Sequence, residues 1–152
     1  VWFDPQLSVT YWPRESWIRL ARQFRATGAW RGELVRRFGR SNSIRYFAPP
    51  ALVILVGLAV VTGILQVTGI VTGWVSALLS FVVHLPILLY IVLVIGVASL
   101  PGGGGPRQRL WTLLVLPTMH LSWGLGFIGG VLRGARDTVD ASRLGTQNTP
   151  LP

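Results

Sequence analysis

Residues 46–106 read YFAPPALVILVGLAVVTGILQVTGIVTGWVSALLSFVVHLPILLYIVLVIGVASLPGGGGP, and none of these 61 residues carries a formal charge. Arg45 closes the run on one side and Arg107 on the other. A helix rises about 1.5 Å per residue and the hydrocarbon core of a bilayer is about 30 Å thick, so about 20 apolar residues cross it once. The run is too long for one crossing and suits two joined by a turn. Thr68-Gly69-Ile70-Val71-Thr72-Gly73 supplies the turn, with Trp74 beside it as an interfacial anchor. The first span is expected over about 50–67 and the second over about 75–100. Pro49 and Pro50 suit a first helical turn, where a missing N–H costs nothing. Pro101-Gly102-Gly103-Gly104-Gly105-Pro106 ends the second span.

Working outward, Leu110 to Leu132 form a third uncharged stretch, expected to cross over about 110–132 despite Pro117. Ser122, Gly126, Gly130 and Gly134 recur every four residues on one helical face, a spacing that lets another backbone approach closely. Three crossings that begin inside place the tail after Arg133 outside. That leaves Arg133, Arg136 and Arg143 against the positive-inside trend. Residues 135–152 are polar and are expected to be disordered.

The rest of the chain is basic. Residues 1–47 hold nine arginines and three acids, residues 107–152 five arginines and two acids, for a net charge of +9 over 152 residues. Overall 51% of residues are hydrophobic and 12% charged, and the mean hydropathy is +0.53, which excludes an ordinary water-soluble globule. Val1-Trp2-Phe3 and Leu7 to Tyr11 read as short strands about a turn at Asp4-Pro5. Trp17, Leu20, Ala21 and Phe24 then fall at helical spacing. After a break expected at Thr27-Gly28, Trp30, Leu34 and Phe38 do the same, beside Arg31, Arg36, Arg37 and Arg40. Residues 14–47 are thus expected to form basic amphipathic helices in the headgroup layer, with the N-terminal segment cytoplasmic and membrane lipids as partners. The adjoining spans argue against nucleic acid as the partner of this basic region.

Residues that could carry chemistry are few. The acids Asp4, Glu15, Glu33, Asp137 and Asp140 all lie outside the spans, His84 and His120 lack a third ligand, and there is no cysteine. No metal site or catalytic constellation can be assembled from them.

Several segments, taken in order, resemble the end of a membrane-bound family 2 glycosyltransferase of the exopolysaccharide (succinoglycan-type) branch. They are residues 1–11, Pro13-Arg14-Glu15-Ser16, Ala21-Arg22-Gln23-Phe24, Gly28-Ala29-Trp30-Arg31, residues 45–50, and Met119 to Phe127. The resemblance implies that residues 1–13 end a GT-A catalytic domain, and that the chain is a piece of a longer protein. It further implies transfer of a sugar from a nucleotide-sugar to a lipid-linked or polysaccharide acceptor, with Mg or Mn held by carboxylates that precede Val1. Processive members carry Gln-x-x-Arg-Trp at the membrane surface; here Gln23 is followed by Trp30 and Arg31, which become the acceptor-side candidates. The expected fold is mostly α and integral to the membrane at 48–134, with a short β remnant, interfacial helices and three transmembrane helices. The chain alone is expected to be inactive. The alternatives are a non-catalytic three-span scaffold, which the small-residue face would serve, or a transporter subunit, disfavoured by the lack of intramembrane carboxylates.

Overall fold

The computed structural model describes residues 16–39, 44–100 and 105–135. The strands expected within residues 1–13 and the tail from residue 136 lie outside these. Among the described residues the chain is almost entirely helical and has no strand. Helix α1 spans Trp17–Phe38, and a 3-10 turn at Ile44–Phe47 leads into α2, Ala48–Val67. Helix α3, Gly73–Leu79, passes through a π turn at Ser80–His84 into α4, Leu85–Ser99, and α5 covers Pro106–Arg133. Three helical segments are long and apolar enough to cross a membrane: Ile44–Val67, Gly73–Ser99 and Pro106–Arg133. Each starts earlier than expected, at Ile44, Gly73 and Pro106, while the ends fall within one residue of the expected 67, 100 and 132.

The punctuation works as the residues dictate. Proline occupies the first turn of α2 and of α5, where its absent N–H needs no partner. Between α2 and α3, Gly69 and Gly73 take φ of 72° and 65°, a left-handed backbone that disfavours other residues. Gln66 then ties the hairpin shut, donating from Nε2 to the Ser76 carbonyl at 3.1 Å and to Ser80 Oγ at 3.0 Å. Pro86 cannot donate to the carbonyl four residues back, and the helix widens into the π turn just before it. Pro117 lies within α5 without ending it. Next to it, Thr118 Oγ1 donates to the Leu114 carbonyl at 2.7 Å. Along α2 and α4 large apolar side chains such as Ile54, Leu58, Ile64, Leu88, Val92 and Ile95 stay exposed, an outer surface that needs lipid around it.

Helix α1 departs from expectation in two ways. It is unbroken at Thr27-Gly28: Thr27 Oγ1 bonds back to the Gln23 carbonyl at 3.0 Å, and Gly28 is buried. Its buried side is also not the stripe of large apolar residues. Ala26, Gly28, Ala29, Gly32 and Glu33 are buried, while Trp17, Trp30, Leu34 and Phe38 remain largely exposed. Small residues make the contact because the partner is another helix backbone.

Candidate functional site

That partner is α5. A side chain at Gly28 would run into the Trp123 carbonyl, and one at Gly32 into that of Phe127. From the other helix, one at Gly126 would strike the Arg25 carbonyl and one at Gly130 the Ala29 carbonyl. The matched numbers rise together, so α1 and α5 run parallel. Trp17 Nε1 donates to Thr118 Oγ1 at 2.8 Å at one end of the pair, and Glu33 meets Gly134 at the other. Of the small-residue face expected on α5, Gly126 and Gly130 thus serve the basic helix rather than a second span. Gly134 caps α5 with φ 87°, and Ser122, half-buried one turn before Gly126, completes the spacing. A side chain at Gly124, on a different face, would strike the Pro49 carbonyl, so α5 is wedged between α1 and the start of α2.

Glu33 is the only acid among the described residues, and it is 3% exposed. Arg36 grips both its oxygens at 2.9 Å, and Arg37 Nε donates to Oε1. Hydrogen bonds from Arg36 and then Arg37 outweigh the cost of burial and hold the Glu33 carboxyl at about 2, below its ordinary 4.5. The same bonds raise the Arg36 pKa. A carboxyl whose folded pKa is depressed contributes stability that is complete above pH 4.5 and is lost as the pH falls toward 2. The melting temperature of the protein should therefore drop across that window, and Glu33→Gln should flatten the drop. Superimposable acid limbs for the two proteins would show that Glu33 is not the group responsible.

The arginine candidate sits in an aromatic cluster. The Arg31 guanidinium carbon lies 4.0 Å from the centroid of the Tyr46 ring, and that of Arg45 lies 5.4 Å from it. Tyr46 stacks on Trp123 at 6.4 Å, Trp123 on Phe127 at 5.4 Å, and Phe127 meets Phe47 edge-on at 5.5 Å. Stacking on a ring face leaves the in-plane N–H donors of a guanidinium available for an anion. Beside the cluster, an apolar groove of about 280 Å³ runs between α2 and α5, lined by Phe47, Pro50, Ile54, Phe127, Val131 and Leu132 among others.

The three candidates are not brought together. Gln23 and Trp30 are seven residues apart, on a side of α1 away from the small residues that meet α5; Gln23 is half-buried and Trp30 is 50% exposed. Arg31 reaches the cluster, through its contact with Tyr46. Tyr46 and Trp123 belong to it although no role was assigned to them in the sequence. Compared with known protein families, with curated proteins and with solved structures, the chain matches none.

Proposed function

We propose that this chain is the membrane-anchoring part of a family 2 glycosyltransferase, and that the Arg31–Tyr46 cluster with its groove receives the lipid-linked acceptor. The observation that supports this reading is the pairing of a cation-bearing aromatic face with an apolar groove at the start of α2. An acceptor with a phosphate headgroup and a hydrocarbon tail has that same division. Arg31 would meet the phosphate as a bidentate fork, and the groove would take the first part of the tail. Trp30, more exposed, offers a flat apolar face for a sugar ring. Donor binding and a divalent metal belong to the catalytic domain that the resemblance implies. Glu33 is committed to Arg36 and Arg37, and no group of three metal-ligating side chains occurs among the described residues.

The scaffold alternative is less well supported. It rested on the small-residue face of α5, and α1 already occupies that face.

The test is sugar transfer. Membranes holding the chain with its natural upstream sequence should move label from a nucleotide-sugar into an extractable lipid or polysaccharide, and the 152-residue chain alone should move none. Transfer by the isolated chain, or none from any nucleotide-sugar by the complete protein, would reject the proposal.

A further inference from the structure

Helix α5 meets the length and composition requirements for a span, yet the short link from α4 and the contacts of its C-terminal half place its two ends on the same side of the α2–α4 hairpin. The Gln66 bonds to Ser76 and Ser80 close that hairpin at the end of α2, so α2 starts and α4 ends on the side away from the turn. From Ser99 to Pro106 the chain can reach at most about 25 Å. That is less than the hydrocarbon thickness of about 30 Å, so α5, with Arg107 and Arg109 in its first turn, starts on the same side of the bilayer as the end of α4.

Gly124 lies eighteen residues further on, about 27 Å along the axis. A helix crossing back through the bilayer would by then be level with Gln66 and Ile70. Instead Gly124 rests on Pro49 and Val53, in the first turns of α2, and the neighbouring Trp123 and Phe127 hold Tyr46 and Phe47. From Thr118 to Gly134, moreover, α5 is accompanied by α1, which carries Arg19, Arg22, Arg25, Arg31, Arg36 and Arg37. Six arginines against one buried carboxylate are not tolerated within hydrocarbon.

We infer that α1 and α5 lie as a pair in the headgroup layer of one leaflet, where α2 enters and α4 leaves, and that the chain crosses the membrane only twice, through α2 and α3–α4. The occupant of the arginine-bearing surface is then the anionic lipid of that leaflet. Before it meets α1, α5 carries no charge between Leu110 and Pro117 and can sink toward the hydrocarbon. In line with this, Tyr90 Oη, nine residues before the end of α4, lies 2.9 Å from His120 Nδ1. This placement puts Arg133 on the same side as Arg107, in accord with the positive-inside trend that three crossings would violate. It stands independently of the glycosyltransferase reading.

The chain has no cysteine, so single-cysteine variants report sidedness without background. In Ile70→Cys, Arg109→Cys and Arg133→Cys, a membrane-impermeant maleimide is applied to intact spheroplasts and to inverted vesicles. Positions 109 and 133 should label from inverted vesicles only, and position 70 from spheroplasts only. Labelling of position 133 together with position 70 would overturn the inference and restore a third crossing. Should Arg133→Cys fail to accumulate, a cysteine appended after Pro152 gives the same two-way reading.

Discussion

Gly130→Leu is expected to release α1 from α5, whereas Gly129→Leu, one residue earlier, should leave the pair docked. A side chain at Gly130 collides with the carbonyl and Cα of Ala29, but one at Gly129 meets nothing within 4 Å. Overpacking costs about 1–3 kcal/mol where neighbouring side chains can shift. Here the obstacle is a helix backbone that cannot rotate away, so the cost should reach at least about 3 kcal/mol, a factor of about 100 in docking. Leucine is also a better helix former than glycine, so both variants strengthen α5 itself. Any loss must then come from the interface. Trp17→Cys with Thr118→Cys, joined by a bismaleimide of about the length of an indole side chain, offers a direct readout, since the Trp17 indole spans that gap to reach Thr118 Oγ1 at 2.8 Å. Cross-linking of that pair should survive Gly129→Leu and vanish with Gly130→Leu. Equal cross-linking in both would mean that the helices do not meet through this glycine face.

The spans were legible because a single physical requirement, the absence of charge over some 60 residues, is local and cumulative. Proline at 49 and 50 and glycine at 69 and 73 act on their own backbone, and their effect needs no partner to be read. Gly28 was different. A glycine within a helical pattern can end the helix or permit a close approach, and only the partner decides. The matching four-residue spacings, Gly28–Gly32 and Gly126–Gly130, were both present, but the large apolar residues of α1 pointed to lipid and drew the reading away from its small ones. The partner chosen by α5 was likewise hidden, since an arginine-rich helix is not an obvious companion for an apolar one. Tyr46 and Trp123 are 77 residues apart, and nothing in either neighbourhood announces their stacking on each other or on Arg31. Glu33 was visible as an acid; that its burial is offset by Arg36 and Arg37 three and four residues on follows only once the face it occupies is known.

If the chain anchors a glycosyltransferase as proposed, Arg31→Ala in the complete protein should lower sugar transfer about 10- to 100-fold while the protein remains folded and in the membrane. The range corresponds to losing one charge-assisted contact to a phosphate, about 1.5–3 kcal/mol. The cation–ring contact with Tyr46 adds about 0.5–2 kcal/mol, and it is also what holds the guanidinium on the aromatic cluster whose Phe47 and Phe127 line the groove. Arg31→Lys separates these contributions. A lysine keeps the charge but loses the planar fork, so it should recover only part of the activity if phosphate is bound bidentately. Tyr46→Leu removes the ring but leaves Arg31 its charge, and should raise the acceptor concentration needed more than it lowers the maximal rate. An anchoring role predicts a different pattern: membrane association would weaken in Arg31→Ala, and turnover per folded molecule would be unchanged in all three variants. Trp30→Ala extends the comparison to the exposed side of α1. If Trp30 stacks on the sugar of the acceptor, its loss and that of Arg31 should combine to more than either alone. Full turnover in a folded Trp30→Ala/Arg31→Ala protein would remove α1 from the acceptor site altogether.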